Sequence, residues 1–342
     1  MPAKLSDVAR LAGISKTTAS FALNDEGGTR GISPDTVLRV KAAARQLGYV
    51  PNQASRFLRK GRQHLVGFLA PNINDSFYAS IAQGIETAAE KHGYQVLFGS
   101  TFSNIERERR YIESLVARRI DGLVILPTDI KAHHLDLLHH HHVPTVMFRR
   151  RAVSRRKCKF MTFDDVESAR LPVAHLAARG CRNIGLVVET QLALPEWLSI
   201  ILDARIDGYR RALRDAGLRF RRDNILEIGY SGSEKHVTAT VEKYLNSRKP
   251  DGLFAIEDLY YLRMKNALDR LGLRVPQDIK VVGCDNSYYC PYLSPPLSSV
   301  VFPQEELGRM MMEELEGMIG GSRGPSGEIL LPPTLAARQS SK

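Results

Sequence analysis

The spacing of apolar positions changes character along the chain. Up to about residue 50 they recur at helical intervals in three short stretches, Leu5 to Leu11, Lys16 to Asn24 and Pro34 to Leu47. In VARLAGISKTTASFALND the residues Val8, Leu11, Ile14, Ala19, Ala22 and Leu23 can close a small core, which leaves Lys16, Thr17, Thr18 and Ser20 facing outward. Ser33 is placed to cap the third helix, Pro34 fills its first position and Gly48 closes it. With Gly13 turning the chain between the first two helices, the segment predicts a helix-turn-helix.

From His64 the pattern becomes one of apolar runs alternating with amphipathic stretches. HLVGFLAP reads as a strand, FYASIAQGIETAAEKHGY as a helix, then QVLFGS, ERERRYIESLVARR and DGLVILP follow in the same order. The alternation returns in NIGLVVE, ARIDGYRRALRDAGL, NILEIGY, HVTATVEKYLNSR, DGLFAIE, YLRMKNALDRLGL and IKVVGCD. Two rounds of it predict two similar βαβ subdomains with parallel sheets. Ligands of such sheets sit beyond the carboxyl ends of the strands. The loops after Pro71, Ser100, Pro127, Glu189, Tyr230, Glu257 and Asp285 are therefore expected to face a cleft. No glycine-rich phosphate fingerprint follows any of these strands, so no nucleotide cofactor is expected. Between head and core, NQASRFLRKGRQ is a basic linker too short to hold a helix alone.

Composition narrows the picture modestly. A chain of 342 residues suggests two or three domains, and a formal charge of +11 suggests a polyanionic partner. The longest apolar runs, such as GLVILP, fall far short of the roughly 20 residues that cross a bilayer, and no basic leader precedes an apolar block. A soluble, cytoplasmic protein without a membrane partner is the expectation. Cys158, Cys181, Cys284 and Cys290 lack the close paired spacing of a zinc or redox motif and read as reduced structural thiols. The run HHLDLLHHHH, with His133, His134, His139, His140, His141 and His142, invites a metal. Its histidines fall only loosely on one face, with Asp136 as the accompanying acid, so a solvated helix end and no metal site are expected. His175 and His236 lie in amphipathic helices and read as surface or core residues rather than bases.

The stretches KLSDVARLAGISKTTASFALN, ISPDTVLRVKAAARQLGYVPNQASRFLRKG, HLVGFLAPNINDSFYASIAQGIETAAEKHGYQVL and DIKVVGCDN resemble the lactose/galactose repressor (LacI/GalR) family of bacterial transcription regulators. The resemblance runs over nearly the whole chain. TTASFALN with the longer connection DEGGTRGIS is most similar to the fructose and sucrose repressor branch. The fold implied is α/β: a three-helix head over residues 1–50, a hinge helix or linker over 51–62, and a periplasmic-binding-protein-like core over 63–342. The core would divide into one Rossmann-like subdomain over about 63–162 and 292–323 and a second over about 163–291 and 324–342.

The resemblance also implies a function: a dimeric repressor on a palindromic operator, controlled by a small effector such as a sugar or sugar phosphate. Ser15 would cap the second helix, Lys16 would donate to guanine acceptors and Thr17 would meet a base or a thymine methyl. Thr18 and Ser20 would hold phosphates, which position without specifying. Phe21 stands where many relatives carry arginine, leaving apolar contact with a base or packing against a neighbour. In the hinge, Leu58 would wedge into the minor groove with Asn52, Ser55 and Arg59 beside it, the alternative being a linker whose leucine packs on the core. In the cleft, Arg205 and Asp285 would bind effector polar groups, and Asp75, Phe77, Tyr78 and Tyr230 would line its mouth. Glu257, Tyr260, Tyr261 and Arg263 replace the asparagine and smaller side chains usual at their positions, which argues against a plain sugar.

Two other readings compete. A small-molecule binding protein with no transcriptional role would require a secretory leader. An enzyme on the same two subdomains would require a nucleophile elbow, metal triad or cofactor loop, and none is apparent. The stretch from Pro332 to Lys342 lacks the apolar heptads of a tetramer-forming coiled coil, which favours a dimer.

Overall fold

In the computed structural model the described residues are 3–23, 31–50, 62–128, 134–148, 159–190, 196–229, 233–322 and 328–342. The chain divides into two compact units, Met1–Gln63 and His64–Lys342.

The first unit holds α1 (Leu5–Leu11), α2 (Lys16–Leu23) and α3 (Pro34–Gln46). Ser33 caps α3 by accepting a hydrogen bond from the Thr36 amide at 3.3 Å. Val8, Ala9, Ala12, Ala19, Ala22, Val40, Ala43 and Ala44 form its core, with Leu5, Ile14, Leu23, Val37 and Tyr49 packed at the edge. Small alanines let three short helices approach closely enough to share so small a core. Leu11 is not part of it and is 48% exposed. The buried face of α1 is the stripe Leu5, Val8, Ala9 and Ala12, and at roughly 100° per residue Leu11 points well away from its centre.

The second unit contains, among the described residues, two six-stranded sheets. The first unites β1 (Leu65–Ala70), β2 (Gln95–Ser100), β3 (Gly122–Ile125), β4 (Thr145–Phe148), β5 (Lys159–Phe163) and β11 (Glu328–Leu331) in the order β11-β5-β4-β3-β1-β2. All its pairings are parallel. The second unites β6 (Ile184–Thr190), β7 (Ile225–Gly229), β8 (Gly252–Ala255), β9 (Lys280–Cys284), β10 (Ser298–Val301) and β12 (Thr334–Ala336) in the order β12-β10-β9-β8-β6-β7. It is parallel except for β12, which runs antiparallel to β10.

Helices α4 (Ser76–Lys91), α5 (Ile105–Ala117), α6 (Leu135–His140) and α11 (Gln304–Ile319) belong to the first half of this unit. The second half carries α7 (Asp165–Ala178), α8 (Glu196–Asp215), α9 (Glu234–Arg248) and α10 (Asp258–Arg270). The chain crosses between halves after Phe163, after Val301 and after Leu331, whereas the sequence pattern had put the last two crossings near 292 and 324. The difference comes from β10 and β11: four residues each give too little periodicity to assign a strand to a sheet. The three crossings lie side by side, with the Asp164 amide donating to the Leu331 carbonyl at 3.1 Å. The end of the chain is fastened into the second sheet, where the buried Ser340 hydroxyl donates to the Val281 carbonyl at 2.7 Å. No helix among the described residues is long and apolar enough to cross a membrane.

Candidate DNA-reading and effector sites

The head presents its polar face through a conventional turn. Gly13 takes φ 66°, a left-handed conformation that a residue with a side chain adopts at a cost, and swings the chain from α1 into α2. Ser15 then caps α2, its Oγ accepting from the Thr18 amide at 3.0 Å. The hydroxyls of Ser15 and Thr18 lie 2.8 Å apart, so Thr18 begins with its hydroxyl engaged within the helix. Lys16 and Thr17, the first two helical residues, are exposed, while Ser20 and Phe21 are half-buried and make contacts of their own. The helix therefore offers its amino-terminal residues outward and keeps Ala19 and Ala22 in the core. The hinge residues Asn52, Ser55, Leu58 and Arg59 lie outside the described residues, as do Tyr230, His133 and Cys158.

In the core, parallel strands bring several loops to one edge of each sheet. Asp75, after β1, caps α4 by accepting from the Phe77 amide at 2.9 Å. Phe77 itself is core rather than lining. It is 6% exposed, and its ring centroid lies 6.0 Å from those of Phe148 and Phe163 and 6.2 Å from that of Phe302. Phe163 and Phe302 stack at 4.5 Å where two of the crossings run. Tyr78 is half-buried against the edge of this cluster, 5.2 Å from Phe77.

The second half supplies charge. Arg205 on α8 is 4% exposed, and its Nη1 donates to the Ile256 carbonyl at 2.9 Å while its Nε reaches Asp165 at 3.3 Å. Two of its five donors are thus occupied by described residues. Burial opposes its charge, but the influence of Cys284, Asp165, Asp285 and Glu257 more than offsets this, and the guanidinium stays firmly protonated.

Glu257 stands at the head of α10 without capping it. Burial, then Asp285, Asp75 and Glu189, push its carboxyl up to about 8, with Arg205 opposing. Asp75, Arg205, Glu257 and Asp285 therefore share one electrostatic neighbourhood, although they come from separate elements and from both halves. Asp285 has φ 96° and Asn286 φ 50°, conformations that cost of order 1–3 kcal/mol each and gather at functional sites. The turn is held from several sides. Gln304 Nε2 donates to the Asp285 carbonyl at 2.8 Å, the Asn286 amide donates to Ser299 Oγ at 2.9 Å, and Arg338 Nη2 donates to Asn286 Oδ1 at 2.7 Å.

Several participants are not evident from sequence. Glu189, at the end of β6, is 7% exposed beside Glu257 and Tyr260. Asp258 is buried, and accepts from the Ser287 amide and the Ser299 hydroxyl at 2.7 Å each, tying the start of α10 to the turn after β9. The glycine of VVGCD was a signal for it, since a Cβ on Gly283 would lie 2.1 Å from Asp258 Oδ1. Tyr260 is fully buried, and its hydroxyl has no hydrogen-bond partner among the described residues. Arg263 donates to the Gly229 carbonyl at 2.9 Å and to Glu234 at 3.2 Å, so it braces the end of β7 rather than opening into the cleft.

The histidine run behaves unevenly. His139, His140, His141 and His142 are exposed at the end of α6, but His134 is tucked in, its Nε2 2.8 Å from the fully buried Glu108. The other Glu108 oxygen accepts from the Thr128 amide at 2.6 Å. Among the described residues, no group of three or more His, Cys, Asp or Glu could hold a metal ion. Cys181, Cys284 and Cys290 are buried free thiols, and burial pushes Cys181 up to about 11.

Comparison with known proteins gives a consistent result over the whole length. A family model described as bacterial regulatory proteins, lacI family, matches residues 4–52, and one for a periplasmic binding protein-like domain matches residues 173–341. The HTH-type transcriptional repressor PurR of Aliivibrio fischeri (strain MJ11) is 30% identical over 317 residues, 92% of this chain and 90% of that protein. Catabolite control protein A of Priestia megaterium is 30% identical over 346 residues and covers 100% of both chains. Among solved structures, the lac repressor dimer bound to operator and the anti-inducer ONPF matches with a TM-score of 0.82 and 25% identity, covering 100% of this chain and 99% of that one. The CelR–cellobiose complex matches with a TM-score of 0.70 and 28% identity, covering 99% of each. These relatives lend no support to the fructose and sucrose repressor branch suggested by the head.

Proposed function

Since this chain belongs to the lacI family of bacterial regulatory proteins, we propose that it is a dimeric transcriptional repressor whose operator binding is switched by a small polar effector held between its two sheets. The observation that carries this reading is the meeting of Asp75, Arg205, Glu257 and Asp285 at the carboxyl edge of the strands, in a chain whose head keeps Lys16 and Thr17 clear of its own core.

Each residue has a role that its surroundings support. Lys16 and Thr17 read base edges, and Ser15 orients them through its cap. Ser20 and Thr18 approach phosphates, Thr18 by exchanging its contact with Ser15 for a backbone oxygen. Phe21, half-buried, meets a base or neighbour through its ring edge. Asn52, Ser55, Leu58 and Arg59 form the hinge that orders on bent DNA, with Leu58 as the wedge. In the cleft the uncommitted donors of Arg205 and the carboxylate of Asp285 hold a polyhydroxyl or anionic ligand, with Asp75, Tyr78 and Tyr230 at the mouth. A carboxyl that titrates near 8 is mostly neutral at pH 7, so Glu257 donates a hydrogen bond to the effector as well as accepting one. Phe77 supports this wall from behind.

Self-association has its own support. At the β2 edge of the first sheet Phe98, Phe102 and Ile105 are 43%, 56% and 43% exposed, an apolar strip suited to a second copy. A regulator of this kind works in the cytoplasm, where its operator is.

The test is selection from a random duplex pool at one fixed, moderate salt concentration, since salt sets what affinity means. A palindrome with constant half-site spacing is expected, and Lys16→Ala should weaken specific binding more than nonspecific binding. Recovery of no motif from the pool, with and without sugars and sugar phosphates present, would overturn the reading.

A further inference from the structure

At the edge of the second sheet opposite the cleft, where its strands begin, a cavity of about 260 Å³ is lined by Arg182, Arg219, Arg221 and Arg248 over a floor that includes Asn183 and Asn224. We propose that these arginines form a second binding site, specific for a small phosphorylated molecule and separate from the effector cleft.

The floor is rigid. Asn224 is 6% exposed and donates through Nδ2 to Asn183 Oδ1 at 2.8 Å. Asn183 Nδ2 in turn donates to the carbonyls of Arg248 and Lys249 at 2.6 and 2.9 Å. The ends of α8 and α9 point at this edge, and helix carboxyl ends attract cations in any protein. That attraction explains only part of the cluster. Asn183 already satisfies the last carbonyls of α9, and Arg182 Nη1 covers those of Ala177 and Cys181. The side chains of Arg219 and Arg221 make no hydrogen bond or ion pair with any described residue, and neither is required by an α-helix end.

The charge is neutralised only in part by neighbouring carboxylates. Asp223 is paired with Arg248. Asp251 accepts from the backbone amides of Arg182 and Asn183 at 2.7 and 2.9 Å, so both its oxygens are committed. Four guanidiniums thus surround the cavity against two engaged carboxylates, with the Ser247 side at the rim. Guanidinium forks match the oxygens of phosphate two at a time, as they do those of carboxylate, but only a multiply charged, many-oxygened phosphoryl group can engage several forks at once. The cavity is smaller than the usual range of about 300–1,000 Å³ for drug-sized ligands, which suits a phosphate or pyrophosphate group with a small appendage.

The experiment is calorimetric titration of the full-length protein with inorganic pyrophosphate at constant ionic strength, with orthophosphate and sulfate in parallel. One site per chain is expected, with pyrophosphate bound in preference to sulfate. Arg219→Ala and Arg221→Ala, both exposed and therefore harmless to folding, should each weaken it about tenfold, the loss of one charged hydrogen-bonding partner. Ser247→Asp should weaken it without removing an arginine. Arg205→Ala and Lys16→Ala, in the cleft and the head, should leave it unchanged. The proposal is overturned by undetectable binding at millimolar pyrophosphate, by equal affinity in the Arg219→Ala, Arg221→Ala double variant, or by a loss on Arg205→Ala or Lys16→Ala instead. A double variant that loses nonspecific duplex affinity while keeping pyrophosphate would assign the face to nucleic acid and overturn it as well.

Discussion

In the first half of the core, α4 and α11 pack so closely that a Cβ on Gly84 would lie 2.0 Å from the Glu305 carbonyl oxygen, and one on Gly308 would lie 2.1 Å from that of Ile81. In the second half, α7 and α8 repeat the device, with a Cβ on Gly208 falling 2.0 Å from the Val166 carbonyl oxygen. The scaffolds match, yet the side chains they gather near the carboxyl ends of their strands do not. The first half gathers buried rings: Phe77, Phe148 and Phe163 with Phe302 at the crossing. The second gathers ionisable groups: Glu189 and Arg205, which are buried, and Glu257 and Asp285, which are half-buried. A duplicated frame can thus carry stiff apolar packing on one side and the recognising groups on the other.

The most severe way to break that division is Arg205→Ala. It should abolish the effector response in a DNA-release titration while leaving operator affinity intact. It also strands Asp165, which is 11% exposed, so the core should lose about 3–5 kcal/mol in denaturant unfolding. A preserved effector response would move recognition out of the charged half. The counterpart in the apolar half is Phe163→Ala, expected to cost about 3–5 kcal/mol from the lost ring and the cavity left behind. Here the effector should still bind, though less tightly. A loss below about 1 kcal/mol would show that the ring cluster is not the support it is taken for.

The likeness of the two scaffolds is tested by Gly84→Ala and Gly208→Ala. Each forces a methyl group onto a neighbouring backbone carbonyl and should cost about 1–3 kcal/mol, by similar amounts. Tolerance of one and not the other, measured by the midpoint of thermal unfolding, would mean that the halves are less alike in packing than in topology.

How much of this the sequence discloses depends on the range over which each feature is decided. Alternating apolar runs and helices are local, and they reveal β1, β2, β3, β6, β7, β8 and β9 and five of the helices between them, whereas they leave β4, β5 and α7 unassigned. Strands β10, β11 and β12, of four, four and three residues, have no period to recognise and are strands only because β9, β5 and β10 respectively lie beside them. The same holds for residues. Arg205 and Asp285 stand out by the motifs around them, whereas Asp258, Gln304 and Arg338 matter through partners 19 to 52 positions away that no motif reports. Phe77 is the instructive error. It follows a strand in a loop that should face the cleft, and it does begin there, but α4 turns its ring inward onto Phe148 and Phe163.

The mildest test touches the charged half alone. In the folded protein Glu257 is raised to about 8, above the ordinary value of 4.5 that it takes when unfolded. The folded state therefore binds this proton more tightly than the unfolded state does. That contribution is fully present below about pH 4.5 and is lost progressively as the pH climbs through 8, because an ionised Glu257 must then sit beside Asp285, Asp75 and Glu189. Glu257→Gln keeps the shape and removes the titration. It should melt near the wild type at pH 5 and a few degrees above it at pH 9, the effect being limited because the side chain is only half-buried. Effector affinity in the wild type should fall over the same window if the neutral carboxyl donates to the ligand, and in Glu257→Gln, whose amide donates at every pH, that fall should vanish. A variant that tracks the wild type in both melting and binding from pH 5 to 9 would show that the carboxyl is already ionised in the folded protein, leaving the accepting role alone to Glu257.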